Sequence, residues 1–387
     1  ANCLVGSEMC IRDRNYRNRQ KQPNQLDGVM QLNPQLANLP VYQPGRPSEE
    51  VARELGLPLG GLIKLASNEN PLGPSPKAME AMQQTASQIH LYPDGNAFYL
   101  RNAMAERLGV DVNQLIFGNG SNEIIEFVAH ALLGPGTNIV VSQYCFAIYP
   151  IAAHLTGADC ITVPAKDYGH NLPAMKEAIT PDTRIVFVAN PNNPTGTLAS
   201  HEDVLALVDA VPEHTLLVID EAYFEFLKSP LDLVPRLQEK PNLLLMRTFS
   251  KIYGLAGLRI GYGIGHPEFI AALEKVRQPF NLNAMAQAAA LAAIDDTGHL
   301  EATRANNATG LEFLAQALSE MNIKTVTSHA NFILANVGDG AGTFQKLQER
   351  GVITRPMAGY QLPEWIRISI GTPAENERCL AALRELR

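Results

Sequence analysis

Short apolar runs with no polar alternation recur along the middle of the chain, at 138–142, 160–164, 184–190, 215–220, 243–249 and 259–265. Most are rich in Val, Ile and Leu, the pattern of strands covered on both faces of a mainly parallel sheet. Amphipathic stretches such as 121–133 and 202–210 separate them. The alternation predicts an α/β fold with a three-layer αβα domain. Past residue 283 the pattern changes to an Ala-rich helical stretch reaching about 321, strands at 323–327 and 332–336, a helix at 343–350, an alternating strand at 365–370 and a closing helix. This predicts a smaller α+β domain. The expected division is an N-terminal arm over 30–66, a large domain over 67–283 and a small one over 284–387.

Residues 1–29 do not share this patterning. Arg12, Arg14, Arg17, Arg19 and Lys21 stand against Glu8, Asp13 and Asp27, a net charge of +2, and the apolar centre of a secretory signal is missing. The arginines leave a transit peptide as one reading, although acidic residues interrupt it. Cys10-Ile11-Arg12-Asp13-Arg14 resembles a translated sequencing adaptor. The segment is therefore set apart from the fold, with Met30 the expected start and Met9 the alternative.

With 387 residues, 46% apolar and 18% charged, the chain is long enough for a large core and has a globular composition. No apolar run reaches the roughly 18 residues of a membrane span. The net charge of −8, or −10 outside the tail, comes without a basic stripe. That argues against nucleic acid and against a polybasic membrane contact. Five scattered cysteines with no CxxC pair argue against a disulfide framework or a zinc site, and for a reducing cytoplasm.

Sheets of this kind bind ligands at the C-terminal ends of their strands. Three of the runs end in chemistry: Asn192-Asn193-Pro194-Thr195-Gly196, Asp220-Glu221-Ala222-Tyr223 and Thr248-Phe249-Ser250-Lys251. Taken singly each has an ordinary reading. The first is a good turn, Asp220 suits an N-cap or a structural ion pair, and Lys251 suits a surface. A carboxylate ending a buried strand needs a partner, however. A lysine beside a cavity can lose its proton and become a nucleophile. Gly118-Asn119-Gly120-Ser121-Asn122-Glu123 opens a helix, with Ser121 a candidate N-cap and the helix N-terminus open to an anion. It is not a dinucleotide fingerprint, because Glu123 stands where the third glycine would be.

In combination these segments resemble the fold-type I pyridoxal-phosphate-dependent aminotransferases of the aspartate-aminotransferase superfamily. The matching text also includes residues 67–76 (SNENPLGPSP), Tyr92-Pro93-Asp94, Leu255 through Tyr262 and Arg367-Ile368-Ser369-Ile370-Gly371-Thr372, and spans about 40–387. Within the superfamily the pattern is most similar to histidinol-phosphate aminotransferases. The resemblance implies that Lys251 is the Schiff-base lysine and proton shuttle, and that Asp220 pairs with the pyridine nitrogen of pyridoxal 5′-phosphate. It implies that Tyr223 and Asn193 bond the ring 3′-oxygen and that Phe146 stacks on the ring. Ser250, Arg259, Ser121, Asn122 and Thr248 fall at or near the phosphate cradle, with Tyr92 reaching it from the partner subunit of a homodimer.

For substrate, the resemblance implies Arg367 and Arg355 as anion-binding arginines, Asn193 beside them, and Tyr42 as a mobile tyrosine closing over the ligand. The implied reaction moves the amino group of glutamate to imidazole-acetol phosphate, giving histidinol phosphate and 2-oxoglutarate. Threonine-phosphate decarboxylases and aromatic-amino-acid aminotransferases share this fold and remain as alternatives. Two positions depart from the common pattern, Asn122 in place of Asp and Cys145 in place of Thr or Ser.

Overall fold

The computed structural model describes residues 33–36, 39, 48–56 and 58–386; the tail over 1–29 and Tyr42 lie outside them. By contact density the chain forms two units, 1–40 and 41–387. In the first, the described residues include a 3-10 turn at Pro34–Leu36.

The second unit opens with a helix at Ser48–Leu55 and a short strand β1 (Ile63–Lys64). Seven strands follow: β2 (Leu115–Gly118), β3 (Asn138–Ser142), β4 (Asp159–Val163), β5 (Thr183–Ala189), β6 (Leu216–Asp220), β7 (Leu243–Thr248) and β8 (Gly261–Gly265). They form one sheet in the order β2-β8-β7-β6-β5-β3-β4, and β8 alone runs antiparallel to its neighbours. Successive residues of a strand feed opposite cores, as the period of two requires. Val186, Val188, Leu217, Ile219 and Leu245 enter one core, while Ile185, Phe187, Leu216, Val218 and Leu244 enter the other. Helices 98–108, 172–177, 201–210 and 284–294 supply the first core, and helices 121–132, 148–156 and 267–273 the second. The three-layer α/β architecture expected from the apolar runs is therefore present.

A second sheet holds β9 (Thr325–Val326), β10 (Phe332–Asn336), β12 (Arg355–Pro356) and β13 (Trp365–Ser369), all antiparallel, in the order β12-β13-β10-β9. Strand β11 (Val352–Ile353) pairs in parallel with β1, which joins residues 63–64 to this smaller α+β part. Helix Pro373–Glu385 starts on a capping box in which Thr372 and Glu375 satisfy each other's backbone amides.

Three details differ from the sequence expectation. The Ala-rich stretch is two helices, Ala284–Ile294 and Thr297–Glu320, because the Asp296 carboxylate caps the second one at the His299 amide. The expected boundary at 283/284 falls at the N-cap Asn283 of the first helix. Its Ala286, Ala289, Ala290 and Ala293 share the large core with Leu100 and Ala78, so the passage to the smaller sheet lies along Thr297–Glu320. Finally, β8 begins at Gly261 and not at Arg259, whose backbone is left-handed with φ 56°. Among the described residues no helix is long and apolar enough to cross a membrane, and no cluster of His, Cys, Asp or Glu is placed to hold a metal.

Candidate active site

The C-terminal ends of β5, β6 and β7, the N-terminus of helix 121–132 and the edge of the second sheet enclose a cavity of about 430 Å³. Twelve of the expected site residues line it. From the strand ends of the large sheet and the loops that follow them come Asp220, Tyr223, Asn193, Phe146, Thr248, Ser250, Lys251 and Arg259, from the helix Ser121 and Asn122, and from the second sheet Arg355 and Arg367. The last two are register partners across β12 and β13, which brings both guanidinium groups to one face.

Asp220 is the last residue of β6 and is 6% exposed. Its Oδ2 accepts from the Tyr149 hydroxyl at 2.7 Å and its Oδ1 from the Ala222 amide at 3.2 Å. Burial pushes its pKa up; the Tyr149 and Ala222 bonds and the Lys251 ammonium pull the other way. Tyr149 is buried and stacks on Phe187 at 4.4 Å, with its own pKa raised by burial and then by Asp220, so it stays a donor. Behind the strand, Glu221 pairs with Arg247 Nε at 2.8 Å, and that guanidinium sits 3.6 Å from the Phe224 ring centroid. Asp220 and Glu221 are thus both held in place.

Lys251 Nζ donates to the Ser67 carbonyl at 3.2 Å and lies 5.9 Å from the Tyr223 ring centroid. Burial, and then the Arg367 charge, bring its pKa down to about 8. Tyr223 is buried, and burial raises it to about 12. Its hydroxyl oxygen accepts from Asn68 Nδ2 at 3.0 Å.

Opposite this pair is an anion cradle. The N-cap of helix 121–132 is Gly120, with φ 83° and no capping side chain, so Ser121 is the first helical residue and not the cap expected from sequence. A side chain at Gly120 would strike the Arg259 guanidinium, and one at Gly261 would strike the Ser121 amide. Glycine at both places lets strand, arginine and helix end come together. Arg259 Nη1 donates to Ser250 Oγ at 3.4 Å and to the Ala256 carbonyl at 3.3 Å, and Thr248 Oγ1 accepts from the Ser250 amide at 3.1 Å.

Arg367 donates to Asn193 Oδ1 at 2.5 Å and to the Ala66 carbonyl at 2.8 Å, with its charge over the Phe332 ring. Tyr92 is not in the cavity of its own chain. It is 84% exposed, with its ring 4.8 Å from that of Phe280. Tyr149, Asn68, Tyr360 and the Ser67 carbonyl belong to the site without having been singled out from the sequence. The one prior signal for Asn68 was its place in the SNENPLGPSP segment.

These groups fit pyridoxal phosphate: a side-chain-free helix N-terminus with Arg259 and Ser250 for the phosphate, a buried carboxylate for a cationic ring nitrogen, and an amine of lowered pKa between them. Fold and donor set define the class, a pyridoxal-phosphate-dependent aminotransferase. The family profile "Aminotransferase class I and II" matches residues 61–383. The chain is 50% identical over 355 residues to histidinol-phosphate aminotransferase of Akkermansia muciniphila, covering 92% of this chain and 98% of that protein. It is also 50% identical over 355 residues to histidinol-phosphate aminotransferase 1 of Thiobacillus denitrificans, covering 91% and 92%. The crystal structure of the Sinorhizobium meliloti histidinol-phosphate aminotransferase in complex with pyridoxal-5′-phosphate superposes with a TM-score of 0.83 at 28% identity, covering 95% of this chain and all of that one. The chain belongs to the class I and II aminotransferases and, within them, to the histidinol-phosphate aminotransferase family.

Proposed function

We propose that this cavity transfers the amino group of glutamate to imidazole-acetol phosphate, giving histidinol phosphate and 2-oxoglutarate. The observation that carries the reading is the Arg355–Arg367 register pair facing the same cavity as Lys251, with a separate anion cradle at Arg259. One cradle serves the cofactor phosphate, and the arginine pair serves the substrate anion, dianionic phosphate in one half-reaction and carboxylate in the other.

Bound there, pyridoxal phosphate supplies a carbonyl that condenses with amines and a ring that takes up negative charge. The chain does the rest. Lys251 Nζ, with a pKa near 8, is the group that takes the proton from the substrate Cα and returns it on the other side of the reaction. Asp220, whose carboxylate accepts from Tyr149 and Ala222 against the upward push of burial, would pair with the ring nitrogen. Tyr223 and Asn193 donate to the ring 3′-oxygen, and Phe146 covers the ring face. Ser121, Asn122, Ser250, Thr248 and Arg259 hold or shape the phosphate site, and Tyr42 closes over the substrate. In this assignment the large domain, whose core includes helix Ala284–Ile294, holds the cofactor, and the smaller sheet carries the substrate arginines.

A half-reaction screen tests the reading. Holoenzyme is mixed with histidinol phosphate, glutamate, phenylalanine, tyrosine and threonine phosphate while conversion of the cofactor to its amine form is followed by absorbance. Rapid conversion by histidinol phosphate and glutamate is expected. A decarboxylase would show no glutamate half-reaction, and preference for phenylalanine or tyrosine would favour the aromatic enzyme. Arg355→Ala is expected to slow the histidinol phosphate half-reaction roughly tenfold more than the glutamate one, about 1.4 kcal/mol of differential binding. Equal losses would refute its phosphate role.

The exposed Tyr92 is flanked in the chain by Ile89, Leu91, Phe98 and Tyr99, whose large side chains are also exposed. We infer that this surface is covered by a second copy and that Tyr92 completes the partner's phosphate cradle. Sedimentation is expected to show a dimer. Mixing inactive Lys251→Ala chains with cradle-deficient Tyr92→Ala chains is expected to give hybrid dimers with one intact site of higher activity than either parent; no gain would sink the inference. The free thiols of Cys145, Cys160 and Cys379 suit a cytoplasmic setting.

A further inference from the structure

Asn68 is 1% exposed, with a left-handed backbone at φ 56°, and its hydrogen bonds form a chain from Ser369 to Tyr223. The Asn68 amide donates to Ser369 Oγ at 2.8 Å. Ser369 has one hydroxyl proton, and it donates that to Asn68 Oδ1 at 2.9 Å. The other end of the carboxamide is therefore the NH₂ group, and it donates to the Tyr223 hydroxyl oxygen at 3.0 Å. With a donor already seated on its oxygen, Tyr223 must aim its own O–H elsewhere, and the cavity that both residues line is the direction left. Asn331 Nδ2 fixes the Asn68 carbonyl at 2.9 Å, and Ser369 lies on β13 two residues from Arg367.

We propose that Asn68 is a positioning residue that obliges Tyr223 to donate its hydroxyl proton to the cofactor's ring oxygen, and that Ser369 locks Asn68 in the orientation that does so. The proposal rests on Tyr223 serving as that donor. Charged and titratable groups facing Tyr223 are Arg367 from β13, Asp220 from β6, Tyr360 and Lys251; Asn68 is the neutral neighbour that sets direction. The relay also connects the strand that reads the substrate anion to the group that tunes the cofactor.

Asn68→Asp keeps the shape and tolerates the left-handed backbone, but a carboxylate accepts where the amide donated. The Tyr223 proton then turns toward residue 68. Holoenzyme is titrated by its visible absorption, and cofactor dissociation is followed separately by dialysis. In Asn68→Asp the titration midpoint is expected to rise by about one pH unit, the size of one hydrogen bond to a charged acceptor, and cofactor affinity to fall several-fold. Ser369→Ala, outside the cavity and uncharged, is expected to move the midpoint the same way by less. Both effects are expected to shrink by at least half in a Tyr223→Phe background. Undiminished shifts in that background mean a bare charge or packing effect and overturn the relay alone. If Tyr223→Phe itself leaves the midpoint unmoved, the donor role of Tyr223 falls, and the relay with it. Should Asn68→Asp fail to fold, Ser369→Ala with and without Tyr223→Phe makes the same comparison.

Discussion

Replacing Lys251 by alanine is expected to lower transamination by at least ~10⁴-fold and to remove the visible absorption of lysine-bound cofactor, because one amine is both nucleophile and proton carrier. A smaller side chain cannot be compensated from nearby. Lys251 is the lysine among the cavity-lining residues, and the guanidinium groups of its neighbours Arg259 and Arg367 cannot stand in for a primary amine. The pH dependence has a definite sign. Burial brings the amine down to about 8 from an ordinary 10.5, so between those values the unfolded chain binds more protons than the folded one. Cofactor-free wild type therefore gains stability as pH rises from about 8 to 10.5, and below 8 it bears the whole cost of a buried charge. Lys251→Met lacks that cost. Its melting temperature relative to wild type is expected to be highest near pH 7 and to decline toward pH 10.5. Residual turnover above about 1% of wild type would remove Lys251 from the chemistry.

Much of this site can be traced in the chain because it lies at strand ends. A run such as Leu216–Ile219 buries both faces, so the polar residue that terminates it, Asp220, stands out at once. Strand β2 carries no such signal, being only four residues long and followed directly by the glycine turn before helix 121–132. Arg259 reads as the start of a strand because apolar residues follow it, yet its side chain is needed at Gly120 and the backbone turns left-handed to deliver it. Tyr149 looks like any aromatic on the inner face of a helix. Its hydroxyl meets Asp220 only because β6 lies beside β5, whose Phe187 carries the stacked ring. Asn68 and Ser369 are 301 positions apart, a pairing that no local pattern encodes. What the chain shows locally is where chemistry ends a strand; what it hides is which distant side chain holds that chemistry in one protonation state.

Asp220→Asn is expected to cost roughly 10³-fold in turnover, on the scale of losing one preorganised electrostatic partner, while leaving the fold in place. The amide is isosteric and can still accept from Tyr149 or the Ala222 amide, but it brings no negative charge to a protonated ring nitrogen. Loss should therefore appear in the rate of proton removal from substrate more than in binding, with a lowered kcat, a substrate isotope effect at Cα that grows, and KM little changed. Tyr149→Phe separates charge from the means of keeping it. Its ring still stacks on Phe187, but Asp220 loses the 2.7 Å donor that opposes its burial, so the carboxyl pKa rises further. The expected loss is about tenfold at neutral pH and should diminish as pH is raised, because a higher pKa is overcome by base. Asp220→Asn has no carboxylate to recover and should show no such rise. If both variants lose activity equally at every pH, Tyr149 contributes only packing, and the ionisation of Asp220 has another source.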